Sequence, residues 1–132
     1  MLWVEIFAAL MVSHLVGDFI LQTEFQATNK RGGLSLRSPA RRALGLHVLT
    51  YTLAFVPVLA WLASEHGPLE LLAVAAAIAV PHAAQDDGRL LAAWMRSVKH
   101  TPLRPGPLAT MVDQSFHVVT LFLLAVVVGS SS

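Results

Sequence analysis

The chain has 132 residues, 55% hydrophobic and only 13% charged, with no cysteine. An average soluble domain carries about 45–50% apolar and about 25% charged residues, so this balance, with a mean hydropathy of +0.64, excludes a disordered segment, a nucleic-acid-binding module and a disulfide scaffold. The length predicts one domain, the missing thiols exclude thiolate metal sites and cysteine nucleophiles, and the formal net charge of +1 carries no information as a sum.

Four apolar stretches predict helices over about 2–22, 41–63, 68–95 and 108–128. Crossing a ~30 Å hydrocarbon core takes about 20 apolar residues, which each stretch meets or nearly meets. The first, interrupted only by Glu5, Ser13, His14 and Asp18, lacks the positive n-region and small-residue cleavage site of a signal peptide and is read as retained. The Gln22–Arg31 segment reads as its amphipathic continuation, with Asn29, Lys30 and Arg31 as either a phosphate-contacting rim or a topology anchor. Ser38-Pro39 resembles an N-cap with proline in the first turn of the second helix. The third begins after Gly67-Pro68, and Pro81 inside it predicts a kink near Ala77. The cluster Pro102, Pro105, Gly106 and Pro107 is a loop before the fourth helix. The terminal Gly129 to Ser132 reads as a linker. A soluble four-helix bundle would need polar outer faces, for which Leu71 to Val80 and Leu121 to Val128 leave no room.

The expected architecture is therefore all-α: a single integral-membrane four-helix bundle of up-down topology. Lys30, Arg31, Arg37, Arg41 and Arg42 lie between the first two segments, and Arg89, Arg96, Lys99 and Arg104 between the last two. Four spans put both groups on one side, and the positive-inside rule makes that side cytoplasmic, with both termini on the non-cytoplasmic side of a multi-pass protein.

Ionisable residues within membrane helices are costly and point to function. His14 and Asp18 are four apart on the first segment, with Gln22 continuing their stripe; His82 and Asp86 repeat the spacing on the third, as do Asp113 and His117 on the fourth. His47, with Tyr51 one turn on, adds the second segment. In an up-down bundle these groups fall in one layer, roughly 5–12 Å inside the cytoplasmic boundary. Imidazole and carboxylate donors suit Zn, Mn, Fe, Co or Ni, as one ion or two bridged by a carboxylate. His14, Asp18, His47, His82, Asp86, Asp113 and His117 are the candidate ligands, and Asp18, Asp86 and Asp113 the candidate general bases. Arg89, Gln22 and Tyr51 are candidate substrate contacts, although Arg89 snorkelling to the headgroups is an equal reading. His66 and His100 read as solvated loop residues, and Trp3, Trp61 and Trp94 as interfacial aromatics. The alternative for each His/Asp pair is hydrogen-bonded glue between helices.

The run His14-Leu15-Val16-Gly17-Asp18-Phe19-Ile20-Leu21-Gln22-Thr23, followed by Asn29-Lys30, resembles the opening signature of a family of small bacterial membrane proteins, domain of unknown function 3307. His47-Val48-Leu49-Thr50-Tyr51-Thr52, His82 with Asp86, and Asp113-Gln114 with His117 resemble its later motifs. Gln85-Asp86-Asp87-Gly88 stands where that family's pattern is more apolar, leaving open whether Asp86 or Asp87 faces the site. The resemblance implies a bacterial inner-membrane location and supports fold and site. Its His/Asp decoration is similar to that of membrane proteins described as metal-dependent hydrolases, an analogy only.

Together these features point to an integral-membrane metal-dependent hydrolase with a cytoplasm-facing site, acting on a lipid or lipid-linked phosphoester because a site at headgroup depth beside basic loops meets such anions. The expected partners are membrane lipids, with a homo-oligomer or a membrane partner protein and no nucleic acid. The alternative is a non-enzymatic membrane subunit, or a divalent-cation or proton conduit, against which the apolar outer halves Phe55 to Leu62 and Val118 to Val128 argue.

Overall fold

The computed structural model describes residues 2–35 and 38–130; Arg37 of the first basic loop, and Ser131 and Ser132 of the expected linker, lie outside the described residues. Among them are seven α-helices and no strand: α1 (Trp3–Leu15), running into a π-helical turn (Val16–Ile20), α2 (Glu24–Asn29), α3 (Ala40–Leu53), α4 (Val56–Leu62), α5 (Pro68–Asp86), α6 (Arg89–Ser97) and α7 (Pro107–Ser130). Trp3–Ile20, Pro68–Asp86 and Pro107–Ser130 are each long and apolar enough to cross a membrane, and α3 with α4, bent by 43°, makes a fourth if taken as one span.

The expected second helix breaks at Pro57, not at a membrane boundary. Its ring nitrogen has no proton for the Leu53 carbonyl and its ring crowds that carbonyl, so α3 stops at Leu53 and Pro57 sits in the first turn of α4. Pro81, by contrast, lies within α5, which runs on through it. The expected third helix also divides, because Gly88 adopts the left-handed φ of 83° between α5 and α6. The continuation of the first helix is a separate element. Thr23 opens α2 with a reciprocal cap, its Oγ1 accepting from the Gln26 N–H at 3.3 Å while its own N–H donates to Gln26 Oε1 at 2.9 Å. Pro39, not Ser38, is the N-cap of α3, and Gly129 and Ser130 finish α7 instead of forming a linker.

Packing joins α1 to α7, α7 to α5, α5 to α3 and α4, and the π turn and α4 back to α3 and α1 respectively. One half of the interior is an apolar core of Ile6, Leu10, Phe55, Leu62, Ile78 and Leu121 with their neighbours. The other half is polar: His14, Asp18, His47, His82, Asp86 and His117 are all buried. Outside, Val12, Leu49, Leu53, Leu72, Val80, Val119, Leu123 and Val127 are exposed. A buried ionisable cluster beneath a surface with this many exposed aliphatic side chains suits an apolar surround.

Candidate metal centre

Asp18 reaches the site through the π turn and Gly17. An ideal α-helix would stack Asp18 over His14; the wider turn re-aims it toward α3, a use typical of such turns. Gly17 permits the approach, since a Cβ there would lie 2.8 Å from the Tyr51 ring and 3.2 Å from the Tyr51 Cα. His47 on α3, and His82 and Asp86 one turn apart on α5, complete the set.

One ligand atom from each of Asp18, His47, His82 and Asp86 falls within 4.8 Å of the other three, and all four residues are buried. His47 Nε2 lies 3.1 Å from Asp18 Oδ1, 2.9 Å from Asp86 Oδ2 and 3.0 Å from His82 Nε2. His82 Nε2 is 3.1 Å from Asp86 Oδ2. A ring nitrogen carries one proton or one lone pair, so these contacts exceed what protons can satisfy. A tetrahedral ion with bonds of ~2.0–2.1 Å spaces its donors by about 3.4 Å, close to the spacing seen here. The two imidazoles and two carboxylates could hold a metal ion.

The remaining predicted residues surround this set. His14 donates from Nε2 to Gln114 Oε1 at 3.0 Å and meets the Tyr51 hydroxyl through Nδ1 at 3.0 Å, and Gln114 Nε2 donates to Asp18 Oδ2 at 3.0 Å. His14 therefore orients Asp18 through Gln114. His117 donates from Nδ1 to the Asp113 carbonyl at 2.9 Å and places Nε2 3.6 Å from Asp86 Oδ1; neither of those two facing atoms has a hydrogen-bond partner. The Asp113 side chain lines a cavity beside the cluster with Lys30 and Asp86.

The three expected substrate contacts are placed differently. Tyr51 is buried, its ring stacked on His82 at 3.4 Å and 2°, so it supports the imidazole. Gln22 is half-buried with no partner for Nε2. Arg89 is exposed and pairs with Asp87 Oδ2 at 2.9 Å. Asp87 also accepts the Leu34 N–H at 2.8 Å, so Asp86 is the aspartate that faces the cluster and Asp87 ties down the preceding loop. Away from the site, His66 is buried and paired with Glu70 at 3.3 Å, not solvated as expected, because the α4–α5 turn folds it inward.

Two residues join the cluster that were not among its candidate ligands, bases or substrate contacts, although Lys30 was read as a phosphate-contacting rim or a topology anchor. Gln114 is one. Lys30 is the other: its Nζ lies 2.8 Å from Asp86 Oδ2, 3.3 Å from His47 Nε2 and 3.7 Å from Asp18 Oδ1.

The molecule is thus an all-helical protein with three to four candidate membrane spans around a buried Asp/His cluster able to hold a metal ion. The chain matches, over residues 6–132, the family described as protein of unknown function (DUF3307), and it belongs to that family. No curated protein and no solved structure matches it.

Proposed function

We propose that this protein is an integral-membrane, metal-dependent hydrolase of the bacterial inner membrane, acting on a lipid or lipid-linked phosphoester at a site near the cytoplasmic face. The observation that carries the proposal is the convergence of Asp18, His47, His82 and Asp86 on one point. The bundle we propose is a single domain of four spans, with the bent α3–α4 pair as one of them and both termini on the non-cytoplasmic side. Gly129 lying against Trp3 supports that shared side, as does the placement of the basic residues.

In this reading the four residues hold one ion, which when bound supplies Lewis acidity toward water and a phosphoryl oxygen. Gln114 and His14 fix Asp18, and Tyr51 fixes the His82 ring, as outer groups do around metal ligands. Asp113 stays outside the ligand set on the cavity wall, where it can accept a proton from incoming water. Membrane lipids are the natural partners of such a site.

Metal analysis of detergent-purified protein should find about one transition-metal ion per chain, lost in His82→Ala and Asp86→Asn. Wild-type protein that is metal-free when purified without chelator, and whose thermal stability does not respond to added zinc or manganese, would sink the reading. Hydrolysis of phosphoester lipids by the wild type and not by Asp113→Asn then tests the reaction itself.

Lys30 favours a second reading. Its ammonium supplies a cation to Asp18 and Asp86 from within the chain, as expected if the cluster only holds helices together in a non-enzymatic membrane subunit. The metal analysis separates the two.

A further inference from the structure

Lys30 closes α2 as its C-cap residue, and the loop after it is pinned to the end of α5. The Gly32 N–H donates to the Asp87 carbonyl at 2.8 Å and the Leu34 N–H to Asp87 Oδ1 at 2.8 Å. This pinning holds the Lys30 side chain, 14% exposed, with its ammonium where a cation shared by Asp18 and Asp86 would sit. The same residue lines the adjoining cavity, about 380 Å³, together with Arg31, Asp86 and Asp113. Lys30 thus stands between two environments, and its flexible stem can serve either.

Charge decides which. With the carboxylates ionised, Asp18, Asp86 and Asp113 outweigh Lys30 and Arg31 by one negative charge, and a divalent cation turns that into one positive charge. An anion is repelled from the site in the first state and attracted in the second. The ammonium lies on Asp86 Oδ2 and Asp18 Oδ1, so an ion held by these two carboxylates would compete with it.

We propose that Lys30 and Arg31 form a phosphate-binding site in this cavity, completed when a divalent cation takes the place of the Lys30 ammonium between Asp18 and Asp86. Metal binds first, the freed lysine turns into the cavity, and the phosphate group of a substrate binds second. The proposal rests on the metal reading above. A soluble phosphate ester and a phospholipid headgroup share this chemistry. A second cavity of about 500 Å³, walled by Leu90, Trp94, Phe116 and Val119, shares with the first the lining residue Gln85, whose Oε1 is buried without a partner. That apolar neighbour suits an acyl chain and favours the lipid source.

The test uses the full chain in neutral detergent, titrated with zinc and with phenylphosphonate, in the wild type, Lys30→Met, Lys30→Gln and Arg31→Met. Loss of the competing ammonium should tighten zinc binding about tenfold or more in Lys30→Met. Lys30→Gln repeats the measurement should the methionine variant fold poorly. Phenylphosphonate should bind the wild type only with zinc present, and about tenfold more weakly in the zinc-loaded Lys30 and Arg31 variants. Competition by phosphatidic acid in mixed micelles, stronger than by inorganic phosphate, assigns the lipid source, and the reverse order the soluble one. Zinc binding that is unchanged or weaker in both Lys30 variants, or phenylphosphonate binding that ignores zinc, overturns this proposal alone. Zinc binding by neither wild type nor variants overturns the metal reading and this proposal with it.

Discussion

Asp86 and Asp87 are neighbours in the chain with unrelated tasks. Asp86 faces His47, His82 and Lys30, whereas Asp87 holds the Leu34 N–H and Arg89. Asp86→Asn should therefore abolish metal binding. Asp87→Ala should leave the metal stoichiometry intact but lower stability by about 1–3 kcal/mol, since the buried Asp87 carboxylate gives up its bonds to the Leu34 N–H and Arg89; thermal melts paired with metal analysis distinguish the two. At Gly17 the limit is steric. A methyl group there would meet Tyr51 at 2.8 Å, so Gly17→Ala should cost about 1–3 kcal/mol and weaken metal binding by displacing Asp18.

Among the elements, α2 is short and depends on its cap. Thr23→Ala removes the side-chain acceptor for the Gln26 N–H and should cost about 1 kcal/mol in a thermal melt. The apolar runs made the long helices visible in the sequence, because an uninterrupted stretch such as Leu121 to Val128 has no other stable home. The breaks were less legible. Pro57 and Pro81 are chemically the same residue, yet one divides a helix and the other lies within α5, and that difference belongs to the surrounding packing. The π turn at Val16–Ile20 has no residue signature, since its wider hydrogen bonding answers to the approach of Tyr51 to Gly17. In the site, the four-residue spacing of His82 and Asp86 was legible on its helix. Lys30 was not, because a bond between residues 34 and 87 holds its loop over the cluster and no local pattern encodes it.

Over the whole molecule, a buried polar cluster shares the interior with an apolar core while many aliphatic side chains face outward, as suits a body surrounded by hydrocarbon. Val80 and Val119, near the middles of α5 and α7, are exposed at 66% and 55%, so Val80→Asp or Val119→Asp should impair insertion, each costing about 2.5–3.5 kcal/mol near mid-membrane; the fraction recovered in the membrane pellet measures it. The absence of cysteine makes topology directly readable. Ser64 and Ser97 are both exposed, one in the α4–α5 turn and the other at the end of α6. A membrane-impermeant thiol reagent should label Ser64→Cys in intact cells, and Ser97→Cys only after permeabilisation.

Tyr51 is the chain's single tyrosine, and its ring lies flat on the imidazole of His82. The molecule thus carries its own optical gauge of the cluster. An ion drawing electrons from that imidazole alters the field over the phenol ring, so the tyrosine band in near-ultraviolet circular dichroism should track site occupancy without any label.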